Sequence, residues 1–209
     1  ASVGRIAGWV LVALVALFVL VQAYFAAMVL WYRFQPPRET AFMAQRLEEL
    51  RAKDPKATLR YTWVPYARIS THLKRAVIAA EDAKFLEHDG FDWEGIAKAR
   101  EKNEKRGRVV AGGSTITQQL AKNLFLSPDK SYVRKGQEAI IAAMMEAMLP
   151  KQRILELYLN VIEWGNGVFG AEAAARRYYN ASAASLGAEA SARLASMIPS
   201  PRRFERNPG

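Results

Sequence analysis

The beginning of the chain changes abruptly from an apolar to an amphipathic pattern. Residues 6–31 carry no charge and only one strongly polar side chain, Gln22. About 20 apolar residues cross a bilayer as a helix, and Trp9, Trp31 and Tyr32 lie where interfacial anchors are expected. A signal peptide has a shorter apolar region of about 7–15 residues, followed by small residues. Because this segment stays bulky to its end, we predict a membrane-spanning helix over residues 6–32, after a flank at 1–5.

Beyond this segment the pattern is mainly helical. Pro36 and Pro37 break the first helix, and apolar residues then recur at helical spacing within the charged stretch 38–56. Residues 58–64 alternate weakly, which predicts a short strand, and later helices are predicted at 171–179 and 186–197. The length suits one compact domain. We therefore predict a juxtamembrane segment at 33–64 and a mostly α-helical domain at 65–209, from which a C-terminal helix has been trimmed.

The composition narrows the range of partners only partly. The formal net charge of +10 suits nucleic acid, anionic lipid or a phosphorylated substrate equally well. The absence of cysteine excludes a disulfide framework and a thiolate metal site, but it fits either redox compartment. Since the basic residues are dispersed among acids and no known nucleic-acid-binding module is present, we expect no nucleic-acid partner.

The first segment with candidate chemistry is EDAKFLEHDG at 81–90. A helix that continued through it would place Glu81, Phe85 and His88 on one face. The residues alone leave two interpretations open. One is a helix end with solvated acids and a histidine bound to a backbone carbonyl. The other is a carboxylate that its apolar surroundings adapt to act as a general base.

The second segment is GGSTITQQLAKN at 112–123, which predicts a flexible loop entering a helix. Thr115 and Gln118 form a capping-box pattern at the start of that helix. Thr115, Gln119 and Lys122 share one side of the helix, opposite a side that we expect to be buried. The glycine-rich loop and the helix N-terminus suit an anion, with Lys122 adding charge. A capped helix with a solvated face is the alternative. The residues predicted to be buried are Ile116, Leu120 and Leu124.

These two segments resemble the first motifs of the family 51 glycosyltransferases, the peptidoglycan polymerases. Two more matches follow, because RKGQE at 134–138 resembles the RKxxE motif and KQRILELYLN at 151–160 resembles KxxILExYLN. The resemblance covers about residues 65–209. With one membrane span and no transpeptidase region, the chain is similar to the monofunctional members.

The resemblance implies a lysozyme-like helical domain with a membrane-proximal jaw subdomain beside a long cleft. Its substrates would be lipid II and the lipid-linked growing glycan, joined by inverting attack of a sugar hydroxyl. The bilayer would be a second partner, and other cell-wall synthesis proteins are left open. The catalytic domain would face outward from the bacterial cytoplasmic membrane. Export rests on the family alone, since Arg5 precedes the span while Arg33 and Arg38 follow it.

The resemblance also assigns the site residues. Glu81 would be the catalytic base and Glu138 a second essential carboxylate, which orients Arg134, holds a divalent cation or stabilises charge at the anomeric carbon. The alternative is a simple intrahelical ion pair between Glu138 and Arg134, with no direct role in the site. No cofactor would be required, although Mg or Mn at the diphosphate is left open. Most residues of the fourth motif would have structural roles, and Lys151 and Arg153 are also suited to contact a phosphate group. The residues placed around the substrate are Asp82, Phe85, His88, Gly113, Thr115, Gln119, Lys122, Arg134, Lys135, Lys151 and Arg153.

Two other classes of protein also fit parts of this pattern. A lytic transglycosylase or lysozyme-like hydrolase would be helical and use an acid beside a sugar, but it needs no cations for a diphosphate. A non-catalytic scaffold would use its basic charge only to remain on anionic lipid. The cations at motif positions and the predicted anchor favour polymerisation over both.

Overall fold

The computed structural model describes residues 2–108, 112–129 and 131–206. Its mostly α-helical fold, which begins with one long apolar helix, confirms the predicted fold class. Two 3-10 turns, at Tyr66–Arg68 and Ala183–Ser185, connect some of the main elements. Those elements are α1 (Ser2–Phe34), α2 (Ala41–Arg51), β1 (Arg60–Tyr61), α3 (Thr71–Glu81), α4 (Trp93–Arg106), α5 (Ile116–Phe125), α6 (Tyr132–Met148), α7 (Lys151–Val161), β2 (Glu163–Gly165), β3 (Val168–Phe169), α8 (Ala171–Tyr179), α9 (Ala188–Met197) and α10 (Pro201–Arg206).

Helix α1 has two halves with different surroundings. Residues 3–21 are exposed along their whole length, whereas Val29 is fully buried against the domain. The side-chain amides of Gln22 and of Gln137 on α6 donate to each other, each at 2.9 Å. The segment Val3–Phe34 is long and apolar enough, by length and composition, to cross a membrane. The second half of this helix is therefore also part of the packed domain.

Helix α5 lies at the centre of the domain, between α2, α6 and α7. Its side chains Ile116 and Leu120 are fully buried and Leu124 is 4% exposed, as the sequence pattern predicted. The predicted capping box is confirmed, because the side chains of Thr115 and Gln118 each accept from the backbone amide of the other. This helix start is consequently fixed by both local and tertiary contacts.

A small sheet, ordered β1-β3-β2, lies beside the helices. β1 is parallel to β3, and β2 is antiparallel to β3. The strand predicted at 58–64 is confirmed only for two residues, and the segment 163–170 forms a buried hairpin. Gly167 supplies the positive φ of +74° that this turn requires.

The predicted helices near the C-terminus are largely confirmed. Helix α8 has the predicted bounds, whereas α9 begins at Ala188 and not at residue 186. Helix α9 ends at Met197, shortly before Pro199, and Pro201 begins α10. Proline suits this position because a first-turn amide has no partner within its own helix.

Candidate active site

Glu81 is the last residue of α3, and the chain leaves the helix immediately after it. Asp82 has φ −161° and ψ 75°, and residues 83–90 form turns and bends. The prediction that one helical face carries Glu81, Phe85 and His88 is therefore wrong. His88 folds back instead, and its Nε2 lies 2.8 Å from Oδ1 of Asp82. Its Nδ1 accepts from the backbone amide of Gly90, which leaves Nε2 as the protonated nitrogen of a neutral ring.

Asp82 fastens this turn to the start of α5. Its Oδ1 faces His88, and its Oδ2 accepts from the backbone amide of Ile116 at 3.0 Å. A carboxylate is favoured at a helix N-terminus because unpaired amides and the helix dipole are positive there. The sequence predicted that this helix start suits an anion, and the anion in the structure is the chain's own Asp82. Asp82 thus fixes the position of the neighbouring Glu81 relative to α5.

Glu81 is partly exposed and has one direct polar partner from α5. Nε2 of Gln119 donates to Oε2 of Glu81 at 2.8 Å, while Oε1 of Gln119 accepts from the hydroxyl of the buried Tyr158 at 2.9 Å. Burial raises the pKa of Glu81, and the Gln119 hydrogen bond and the charge of Lys122 oppose that rise. A carboxylate with a raised pKa is a stronger proton acceptor than an ordinary one once it is ionised.

A second carboxylate, Glu138, lies at the centre of a cationic cluster on α6. Glu138 is 2% exposed, and its Oε2 accepts from Arg134 at 2.6 Å. Its Oε1 accepts from Lys135, whose ammonium also donates to the hydroxyl of Ser114 at 3.0 Å. Arg134 and Glu138 are four residues apart and therefore project from the same face of α6. Two cations around one buried acid leave a net positive charge at this end of the site.

Lys122 connects the two carboxylates electrostatically. Burial lowers its pKa, while the charges of Glu138 and Glu81 raise it and those of Arg134 and Lys135 lower it further. An anion bound beside Lys122 would favour the charged ammonium. Lys122 is therefore placed to respond to a substrate that brings negative charge.

The loop before α5 is held closely against its neighbours. The hydroxyl of Thr115, a residue only 2% exposed, donates to the carbonyl of Gly90 at 2.7 Å. A Cβ on Gly113 would lie 3.2 Å from Cα of Ile96, and one on Gly90 would lie 2.9 Å from Cγ of Glu146. Both glycines thus permit close approach, and the contacts of Thr115 favour positioning over direct substrate contact.

Lys151 and Arg153 are engaged by the protein. The ammonium of Lys151 donates to the carbonyl of His88 at 2.5 Å and to Glu146 at 2.9 Å, and it lies 4.7 Å from the ring centroid of the fully buried Phe85. Arg153 donates to the backbone carbonyl of Tyr32 at the end of α1 and to Glu156. These contacts favour positioning roles: Lys151 holds the 82–90 turn, and Arg153 holds α1.

Sequence reasoning missed two contributors. Tyr158 belongs to the fourth motif, for which the sequence predicts mainly structural roles, but its hydroxyl orients the amide that contacts Glu81. Glu146, which is not among the predicted site residues, binds Lys151 and also accepts from Thr117 at 2.5 Å. The available signal for Glu146 was a single acid within the otherwise apolar stretch 139–149. Isolated acids of this kind are buried only when they are paired.

The arrangement supplies a proton acceptor at one end and cations at the other. Within the described ranges, no group of three or more acidic or histidine side chains is placed to hold a metal ion. Each oxygen of Glu138 already accepts from a cationic side chain, so a divalent cation would have to displace Arg134 or Lys135. The residues present therefore fit charge compensation by arginine and lysine better than a resident metal.

Comparisons with known proteins identify the family of this chain. The family model described as Transglycosylase matches residues 45–208. A biosynthetic peptidoglycan transglycosylase of Aromatoleum aromaticum is 62% identical over 205 residues, which are 98% of this chain and 89% of that protein. Its counterpart from Dechloromonas aromatica is 64% identical over 204 residues, which are 98% of this chain and 88% of that protein. The chain therefore belongs to the transglycosylase family.

Proposed function

We propose that this chain polymerises lipid II into β-1,4-linked glycan strands. It is a peptidoglycan glycosyltransferase, and the growing chain, held through its lipid diphosphate, is the donor. The 4-hydroxyl of the incoming lipid II attacks the donor's anomeric carbon with inversion. The bond to the diphosphate breaks, and undecaprenyl diphosphate leaves with the bonding electrons. The observation that carries this proposal is the half-buried Glu81, which Gln119 links to the helix that carries Lys122.

In this mechanism Glu81 removes the proton from the attacking hydroxyl. Removing the proton as the new bond forms avoids a free alkoxide, and a base whose pKa lies closer to neutrality does this more effectively. The raised pKa of Glu81 suits that role. Asp82 and His88 act indirectly, because their mutual contact and the bond to Ile116 hold the turn that follows Glu81.

The leaving diphosphate is compensated by Lys122, Arg134 and Lys135. Negative charge on the diphosphate grows as the glycosidic bond breaks, so fixed cations stabilise the transition state more than the ground state. Glu138 keeps Arg134 and Lys135 side by side in the absence of substrate. We assign Glu138 this positioning role, and no step of the mechanism requires a metal.

The direct test is polymerisation of purified lipid II in detergent by the parent chain and by Glu81→Gln, with the products sized on a gel. We expect strands from the parent and a rate at least about 100-fold lower from the variant, the usual contribution of a general base. Glu87→Gln is the matched control, since Glu87 is exposed and undergoes the same chemical change.

Folding of the Glu81→Gln variant is checked by its melting temperature. Because burial raises the pKa of Glu81, the ionised carboxylate destabilises the fold at neutral pH, and a neutral amide should melt at or above the parent. Full activity of a well-folded Glu81→Gln would contradict its role as the base. Release of muropeptides from purified sacculi by the parent would favour the hydrolase alternative.

We further propose that α1 anchors the domain on the outer face of the bacterial cytoplasmic membrane. The exposed apolar residues 3–21 and the location that peptidoglycan synthesis requires support this placement. A reporter that is active only outside the cytoplasm, fused after residue 209, should be active in cells. Activity of a reporter that works only in the cytoplasm would overturn the orientation.

A further inference from the structure

A large cavity lies beside α5. Its volume is about 990 Å³, and its wall includes Gln119 and Lys122. Most of the remaining wall comes from α2, the sheet and the segment 198–205, and Arg177 of α8 also contributes. Ligand sites typically have volumes of about 300–1,000 Å³. The cavity is therefore large enough to hold more of the substrate than its reacting groups.

The cavity wall carries more positive than negative charge. Its two acids are already engaged: Glu163 forms a two-point contact with Arg46 at 2.8 and 3.0 Å, and Glu205 accepts from the backbone amide of Asn166 at 2.6 Å. Arg177 lies 3.6 Å from Glu205 and shares its charge. The acids in the wall therefore compensate the arginines nearest to them.

Three further cations of the wall have no such partner. Lys53, Arg60 and Arg203 are exposed, and among the described residues none of their side chains forms an ion pair or a hydrogen bond. They come from three different elements, because Lys53 follows α2, Arg60 lies in β1 and Arg203 in α10. Unpaired cations that converge on one cavity from separate elements favour an anionic ligand.

We propose that this cavity binds the free carboxylates of the peptide side chains carried by the glycan. This inference rests on the proposed function, which makes a peptide-bearing disaccharide polymer the substrate. The sugars of such a polymer are neutral, and the diphosphate is at its lipid end. Carboxylates of the peptides are then the anions that recur along the strand, and arginine binds carboxylates through paired hydrogen bonds.

The diphosphate is the other source of negative charge, but the α6 cluster already provides for it. Arg134 and Lys135 pair with Glu138, and neither of them is part of the cavity wall, whereas Lys122 interacts electrostatically with Glu138 and also lines the cavity. Arg60 and Arg203 do belong to the wall, and they lie on the sheet and on α10. The two groups of cations therefore serve different parts of one substrate.

The test compares two substrates, lipid II with free peptide carboxylates and lipid II in which these carboxylates are amides. For Arg60→Gln/Arg203→Gln, we expect KM for the acidic substrate to rise about two- to tenfold, as for two solvent-screened ion pairs, with kcat unchanged. KM for the amidated substrate should be the same for variant and parent. Arg193→Gln is the matched control, because Arg193 is an exposed arginine outside the cavity wall.

Two outcomes of this comparison would overturn the proposal. An equal rise in KM for both substrates would mean that these arginines contact the diphosphate. No rise for either substrate would mean that they do not contact the substrate.

A binding measurement tests the cavity independently of polymerisation. A lipid-free muramyl peptide with free carboxylates should bind the parent more tightly than its amidated form, and the double variant should lose this preference. The parent could fail to polymerise lipid II and still bind the fragment with free carboxylates more tightly than its amidated form. This result would contradict the proposed function and support the cavity assignment. Equal binding of both fragments by the parent would overturn the cavity assignment.

Discussion

Gln119 is the side chain that couples Glu81 to the rest of the fold. Its amide nitrogen donates to Glu81, and its amide oxygen accepts from Tyr158, which is fully buried on α7. An amide held at both ends has a fixed orientation, so it presents a donor and not an acceptor to the carboxylate. This hydrogen bond stabilises the ionised form of Glu81 against the effect of burial.

Replacing Gln119 with leucine should therefore move the pH dependence of the reaction. Loss of the donor raises the pKa of Glu81 further, and the base must be ionised to act. The acidic limb of kcat/KM against pH should shift to higher pH. The limb is measured from initial rates of lipid II consumption across the acidic range.

The position of this limb distinguishes two roles of Gln119. An electrostatic role shifts the limb along the pH axis, whereas a merely structural role lowers the rate at every pH. Tyr158→Phe is the matched variant, because it keeps the Gln119 donor but removes the group that orients it. It should shift the limb in the same direction by a smaller amount. A limb that stays in place or moves to lower pH in Gln119→Leu would contradict this account.

At the scale of single residues, the sequence predicted which side chains form the site but not the contacts that position them. Motif positions identified Glu81, Gln119 and Lys122, and periodicity correctly placed the last two on one side of α5. Periodicity failed for His88, because Asp82 leaves the helical conformation. The competing interaction is the bond from Asp82 to the amide of Ile116, a tertiary contact that spacing within the 81–90 segment does not reveal.

At the level of elements, the contact between α1 and α6 ties the apolar helix to the helix that bears the cationic cluster. Gln22 is the one strongly polar side chain of the apolar segment, and its partner Gln137 directly precedes Glu138. Two side-chain hydrogen bonds between primary amides satisfy one donor and one acceptor of each group. The pair fixes the position of α6 along the axis of α1. It therefore also fixes the position of Arg134 relative to the apolar segment.

We expect Gln22→Leu to destabilise the chain and a second change, Gln137→Leu, to restore its stability. The single variant leaves a partly buried amide unpaired, which costs about 1 kcal/mol or a melting temperature about 2–4 °C lower for a chain of this size. The double variant replaces both amides by apolar groups of similar size. Thermal unfolding in one detergent measures all three chains.

The control for this pair is Ala23→Leu, which adds an apolar side chain at an exposed position of the same helix. Its melting temperature should equal that of the parent. Additive losses in the double variant would show that the two amides act independently.

The helices and strands were predicted well where hydrophobic periodicity is strong. They were predicted poorly where tertiary contacts determine the secondary structure. The apolar pattern of α1, the capping signal of α5 and the amphipathic α8 all correspond to observed helices. The hairpin at 163–170 has hardly any alternation, since all but Asn166 of its residues are buried. A strand buried on both faces has no polar side to reveal it, so its pairing with β1 was beyond the sequence pattern.

At the scale of the whole molecule, α1 is both a candidate membrane span and a part of the folded domain. Its exposed part ends at about residue 21, and the following part contributes Val29 and Tyr32 to the core. Phe25 packs edge-on against Phe125 of α5, with ring centroids 5.5 Å apart. The domain would therefore expose apolar surface if the whole helix were removed.

Two truncations should separate these roles of α1. A chain that begins at Gln22 retains the packed half and should melt close to the parent in detergent. A chain that begins at Pro36 loses Val29, whose burial alone contributes about 1.5–3 kcal/mol, and should melt at least about 3 °C lower. It also leaves Arg153 without the carbonyls of Tyr32 and Gln35. Equal melting temperatures for the two truncations would show that α1 is only a tether, whereas a loss confined to the shorter chain would show that the anchor helps to build the domain it carries.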